Sequence, residues 1–78
     1  MFGRNRPAAP TEAEVLGLRA AAIAEPCDDT LRAFGAAAYL YELGTDGSCA
    51  KRAGEAAVRL WRERGDVPPL AFVDRLSY

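Results

Sequence analysis

Three alanine-rich segments with helical periodicity, each closed by a proline or a glycine, constrain the fold of this chain most strongly. The closing residues are Pro26, Gly44 and Gly65. Proline cannot continue a helix, and glycine accepts the left-handed backbone conformation that often ends one. Within each segment, apolar residues recur every three or four positions, as in an amphipathic helix. The pattern predicts an all-α, single-domain bundle of three main helices and a short C-terminal helix.

Capping signals predict where these helices begin. Thr11 and Glu14 have the spacing of a capping box. Asp28 and its neighbours offer caps for the second helix, and Ser48 ends a turn that precedes the third. Proline at 68 suits the first turn of a short final helix. We expect helices at about 11–25, 28–43, 49–64 and 68–76, after a flexible basic arm at 1–10.

The second helix is predicted to lie at the centre of the bundle. Apolar residues cover most of its circumference, and only Arg32, Gly35, Tyr39 and Glu42 form a polar strip. Such a helix packs on two sides, or packs on one side and offers the other to a partner. In the first helix, Gly17 marks either a close contact with another helix or a simply tolerated glycine.

The sequence gives no indication of catalytic chemistry. The 78 residues include no histidine, the commonest general base and metal ligand. The two cysteines cannot make a four-cysteine zinc site. The second helix, about 24 Å long at 1.5 Å per residue, separates Cys27 from Cys49, too far for a disulfide. We expect no enzyme activity, no metal, no cofactor and two reduced thiols.

Nothing in the sequence indicates secretion or membrane insertion. The first residues lack the apolar core of a signal peptide, and no run approaches the roughly 20 apolar residues of a membrane span. We therefore expect a cytoplasmic protein that does not contact a membrane. An alanine-rich core buries little surface per residue, so burial against another protein, or in a homodimer, is an expected source of stability.

Aromatic and basic residues form the candidate contact surface, because Tyr, Trp and Arg are the types that anchor interfaces. Tyr39 and Tyr41 are expected to be exposed, and core packing is the alternative for Tyr41 and Trp61. The candidate protein contacts are Tyr39, Tyr41, Arg52, Arg59, Trp61, Arg62 and Tyr78. These residues favour a protein-binding function: an adaptor, an assembly subunit, or an inhibitor of a larger complex such as phages and mobile elements encode.

A small DNA-binding regulator is the alternative function. The second helix, the four-residue turn and the basic third helix resemble a helix-turn-helix in outline. The resemblance implies nucleic-acid contacts from Arg4, Arg6, Lys51, Arg52, Arg59 and Arg62. Glu55 and Glu63 stand four residues from basic neighbours, so an intrahelical ladder of ion pairs also explains this face. Paired arginines favour protein binding, and unpaired ones favour DNA.

Overall fold

Four helical elements follow one another in the computed structural model, which describes residues 9–43 and 47–76. Helix α1 spans Glu12–Ala24, α2 spans Asp28–Glu42 and α3 spans Gly47–Arg64. A 3₁₀ helix, Leu70–Arg75, completes the described part of the chain, in which there is no strand. The predicted all-α fold is confirmed. Most of the predicted basic arm lies outside the described residues, as do Arg4, Arg6, Gly44 and Tyr78.

The ends of α1 and α3 follow the signals read from the sequence. Thr11 Oγ1 accepts a hydrogen bond from the Glu14 amide at 3.2 Å, and Glu14 Oε1 accepts one from the Thr11 amide at 2.8 Å. This is the predicted capping box. Gly65 has a φ of 80°, the left-handed conformation that ends α3. Ser48 was predicted to cap α3, but the helix already includes Gly47, so that prediction is wrong.

Two further helix ends differ from their predictions for local reasons. Cys27, rather than an aspartate, is the N-cap of α2, and its amide donates to Thr30 Oγ1 at 3.1 Å. The C-terminal helix is 3₁₀ because its bonds join residues three apart, as from the Phe72 amide to the Pro69 carbonyl at 3.0 Å. A six-residue element leaves little room for the longer α-helical bonds.

Helix α2 lies between α1 and α3, as its apolar circumference predicted, and the 3₁₀ helix packs on α1 and α2. Leu31, Phe34 and Ala38 of α2 are buried at the centre of the core. The ring of Phe34 meets the ring of Phe72 with centroids 5.7 Å apart, which ties the 3₁₀ helix to α2. Alanines supply much of the rest, so α2 and α3 can approach closely.

Helices α2 and α3 approach each other closely at a position where the sequence predicted a polar strip on α2. Gly35 is buried against α3: a Cβ added there would lie 2.6 Å from the Ala53 carbonyl oxygen and 2.7 Å from Gly54 Cα. Tyr39, one turn later, is also buried. The predicted strip is therefore wrong at both positions, because a glycine lets two backbones touch. Gly17 has nothing within 4 Å of its Cβ position, so it is the tolerated glycine.

Helices α2 and α3 form an antiparallel hairpin. Arg62, in the last turns of α3, binds Asp28 at the start of α2, with Nη2 2.7 Å from Oδ1. One turn farther along α2, and nearer the start of α3, Arg32 Nε donates to Glu55 Oε2 at 2.8 Å. The order of these two pairs shows that the helices run antiparallel. A helix-turn-helix instead crosses its helices at roughly 90–120°.

Candidate functional site

The predicted contact residues that the structure describes differ in exposure. Tyr39 is only 8% exposed, so its predicted exposure is wrong: it faces α3 from the helix face that Gly35 opens. Tyr41 and Trp61 are half-buried and pack against the core, which is the alternative considered for both. The exposed candidates are the arginines of α3. The candidate site therefore consists of these basic side chains and their neighbours.

Three arginines bind other parts of the chain. Arg19 Nε donates to the Pro68 carbonyl at 2.8 Å and so ties the C-terminal segment to α1. Arg32 pairs with Glu55, and this hydrogen bond and charge raise the pKa of the Arg32 guanidinium. Arg62 donates to both carboxylate oxygens of Asp28, at 2.7 and 2.8 Å. These side chains already have protein partners, so Arg62 is less available for an external contact than its sequence position indicated.

The predicted intrahelical ladder on α3 is wrong. Glu55 faces Arg32 of α2, rather than Lys51 or Arg59 of its own helix. Among residues 9–43 and 47–76, Lys51, Arg59 and Glu63 have no ion-pair partner within 4 Å. Glu55, which was expected to pair with Lys51 or Arg59, therefore binds α2 instead. Arg59 is left without an ion-pair partner among the described residues.

An open groove runs between α3 and the C-terminal segment. It consists of two adjoining clefts that share Arg59 and Leu76. The larger cleft, of about 500 Å³, lies between the last turns of α3 and residues 66–76, and this volume falls in the roughly 300–1,000 Å³ range of ligand clefts. We call the two clefts together the arginine-rimmed groove. Its apolar surface comes from Ala56, Leu60, Pro69, Phe72 and Leu76.

Positive charge dominates the rim of this groove. Its arginines are Arg52, Arg59, Arg64 and Arg75. Its acids are Glu55, which binds Arg32, and Asp66. Within the described ranges, Arg59, Arg64 and Arg75 have no carboxylate within 4 Å. Arg52 donates to Cys49 Sγ at 3.4 Å. An anionic group entering the groove therefore meets Arg59, Arg64 and Arg75, none of which has a described carboxylate within 4 Å.

Sequence reasoning missed half of this rim. Arg64 was placed in the last turn of α3 but assigned no contact, and Arg75 was not considered. No spacing rule joins them, because Arg75 belongs to the 3₁₀ helix, which packs on α1 and α2 and reaches the same cleft as Arg64 only through the tertiary fold. The proline at 68 predicted the start of a further helix but not the surface against which that helix lies.

The two cysteines are free thiols in different environments. Cys27 is exposed, whereas Cys49 is half-buried at one end of the groove. The hydrogen bond between Cys27 Sγ and Thr30 Oγ1, 3.5 Å apart, lowers the pKa of the Cys27 thiol. Cys27 lies away from the groove lining, so this effect concerns thiol reactivity rather than the candidate site.

The chemistry available in the groove is recognition by charge and apolar contact. In the part of the chain that the structure describes, no polar or charged side chain is fully buried. The same part holds no cluster of three potential metal ligands. Guanidinium groups over an apolar surface can hold carboxylates or phosphates while apolar side chains pack beneath them.

Comparisons with protein-family models, with curated proteins and with solved structures find no match to this chain. The charge and the apolar surface of the groove are therefore the indications of function. The helices that the structure describes include none with the length and apolar character required to cross a bilayer.

Proposed function

We propose that this chain is a non-enzymatic module that binds another protein through the arginine-rimmed groove. The observation that carries the proposal is that two partly exposed leucines, Leu60 and Leu76, lie in the same cleft as three arginines. These arginines, Arg59, Arg64 and Arg75, have no ion-pair partner among the described residues. Protein interfaces join a desolvated apolar centre to a polar rim and are enriched in arginine. The groove has this arrangement on a scale that fits a segment of a partner chain.

Absence of histidine from the sequence supports a role in binding rather than in catalysis. Catalytic acids and bases are typically tuned by burial and by specific neighbours. The described carboxylates are instead on the surface or in ion pairs between helices. An adaptor, an assembly subunit and an inhibitor of a larger complex, of phage or mobile-element type, all use such a surface.

The cytoplasm is the proposed site of action. Free thiols are maintained there, whereas oxidising compartments favour disulfides. Cys27, which is exposed and unpaired in the fold, would stay reduced in that compartment.

A small DNA-binding regulator is the second candidate, and the unpaired Arg59, Arg64 and Arg75 favour it. The antiparallel hairpin of α2 and α3 counts against it, since a recognition helix normally crosses its partner steeply before entering the major groove. The apolar side chains on the groove surface also count against DNA binding, because they contribute little to contacts with phosphates. Protein binding accounts for both the charge and the apolar surface, so we place it first.

Affinity capture with matched variants tests the proposal. Tagged wild-type chain, the groove variant Leu76→Asp and the control Leu16→Asp are incubated with lysate of the native host, with and without nuclease treatment. Leu16 is 45% exposed on α1, so the control introduces the same charge outside the groove. Circular dichroism checks that each variant is folded.

The proposal predicts a stoichiometric protein that wild type and Leu16→Asp retain and Leu76→Asp loses. Equal retention by all three folded chains would rule out the groove as the binding surface. Loss with Leu16→Asp alone would move the interface to the exposed face of α1, where a homodimer is the simplest partner. Capture that disappears with nuclease treatment would favour the DNA-binding regulator.

A further inference from the structure

From the charge and shape of the groove, we infer that its occupant is an acidic amphipathic segment of a partner protein, with carboxylates on one face and apolar side chains on the other. The inference rests on the proposed function and deepens it by naming the chemistry of the partner. The inference depends on a difference between two groups of arginines. One group binds other residues of the chain, and the other lines the groove without an ion-pair partner among the described residues.

Six of the seven arginines that the structure describes divide into two groups, and the seventh, Arg52, donates to Cys49 Sγ. Arg19, Arg32 and Arg62 bind carbonyls or carboxylates of the chain itself. Arg59, Arg64 and Arg75, all exposed, are the ones that border the larger cleft. They come from two different elements and converge on one opening, with Asp66 as the only acid in its lining.

This convergence gives the cleft an excess of two positive charges among its described lining residues, three arginines against Asp66. The whole chain, by contrast, has a formal net charge of −1. The positive charge is therefore a local property of the groove and matches an anionic partner.

Apolar surface between the arginines selects a protein segment over a simple polyanion. Leu60 and Leu76 are half-buried and Pro69 is exposed in the cleft, so their contact with water is relieved when apolar side chains cover them. An amphipathic segment satisfies both surfaces at once, because its apolar side packs on these residues while its carboxylates reach the rim. The phosphates of DNA satisfy only the arginines.

Two segments of the chain itself are poor occupants. The arm at 1–10 contains Arg4 and Arg6 and no acid, so its charge repels that of the rim. In a second copy, the acidic turn around Asp28 already binds Arg62 and Arg32 of the same chain. A different protein therefore complements the groove better than either.

A defined peptide probe tests the inference directly. Fluorescence anisotropy of the full chain is measured with a labelled helical peptide that carries leucines on one face and glutamates on the other. Three control probes are the same peptide with lysines in place of glutamates, the same peptide with serines in place of leucines, and a DNA duplex. We expect the Glu–Leu peptide to bind tightest, and its affinity to fall with added salt because salt shortens the Debye length.

Charge-reversal variants locate the binding. Arg59→Glu and Arg75→Glu change the charge on the two sides of the groove, and Lys51→Glu makes the same charge change on the exposed face of α3 outside both clefts. We expect Arg59→Glu and Arg75→Glu each to weaken binding by about tenfold, while Lys51→Glu changes it by less than about twofold. Two groove variants on separate elements keep the test valid if one of them fails to fold.

Several results would overturn the inference. These are no binding of the Glu–Leu peptide, equal binding of the lysine peptide or the serine peptide, tighter binding of the duplex, or equal losses with Lys51→Glu. Concentration-dependent self-association that Arg59→Glu abolishes would also overturn it, by showing that a second copy fills the groove. If the lysate partner still depends on Leu76 while the Glu–Leu peptide fails to bind, the proposed function stands and only the partner chemistry is wrong.

Discussion

Adding one methyl group at Gly35 is expected to push α2 and α3 apart. The Cβ of an alanine at this position would lie 2.6 Å from the Ala53 carbonyl oxygen, 2.7 Å from Gly54 Cα and 2.9 Å from Ala57 Cβ. Two of these three neighbours are backbone atoms, which cannot rotate away. Restoring an ordinary contact of 3.4 Å to the carbonyl requires a shift of about 0.8 Å.

The expected magnitude follows from two opposing terms. Replacing glycine by alanine within a helix contributes about 1 kcal/mol of stability through helix propensity. Inserting a methyl group into a well-packed contact costs typically 1–3 kcal/mol, and the rigid backbone neighbours place Gly35→Ala near the upper end. The net loss is about 1–2 kcal/mol in the free energy of unfolding. For a domain of this size, that lowers the thermal midpoint by roughly 5–15 °C.

Gly17→Ala is the matched control. Gly17 is in the middle of α1, and nothing lies within 4 Å of its Cβ position. Only the propensity term acts there, so the midpoint should rise by a few degrees. Thermal unfolding of both variants and the wild type is followed by far-ultraviolet circular dichroism. If Gly35→Ala stabilises the chain as much as Gly17→Ala does, the close approach of α2 and α3 is wrong.

Other substitutions and reagents probe separate parts of the structure. Thr11→Ala removes the capping box of α1 and should cost about 1 kcal/mol in urea unfolding, and an unchanged midpoint would contradict the cap. Phe34→Ala should cost about 3–5 kcal/mol and leave the chain largely unfolded by circular dichroism, whereas a cooperative native-like transition would argue against its central position. Cys27, whose pKa is lowered, should be alkylated at neutral pH faster than Cys49, because Cys27 is exposed whereas Cys49 is half-buried. Mass spectrometry of a time course measures both rates, and faster labelling of Cys49 would refute that ordering.

Local signals in the sequence were sufficient for the helices. Caps and stops depend on neighbouring residues only, so Thr11, Glu14 and Gly65 act in the structure as their positions predicted. The apolar circumference of α2 likewise identified it as central. The position of Gly35 depends on tertiary packing and could not be predicted from local signals. Because glycine is neutral in hydropathy, Gly35 was assigned to the polar strip. In the structure it lies against α3, since the smallest residue permits the closest contact.

The candidate site was less predictable because it is assembled from distant parts of the chain. Periodicity placed Arg52 and Arg59 on one exposed face of α3, which is correct. Spacing along a helix also suggested that Glu55 would neutralise them, but the competing partner Arg32 lies on another helix. Arg75 joins the groove only through the fold-back of the C-terminal segment, and no local rule encodes that contact.

Chemical-shift mapping of the full, isotopically labelled chain with the Glu–Leu peptide tests the central claim most directly. Backbone amide signals are followed by heteronuclear NMR as the peptide is added. A protein-binding groove predicts that the largest shifts fall on residues 49–64 and 66–76, with α1 nearly unchanged. Shifts concentrated on the exposed face of α1, around Leu16 and Ile23, or no saturable shifts at all, would contradict the groove as the binding site.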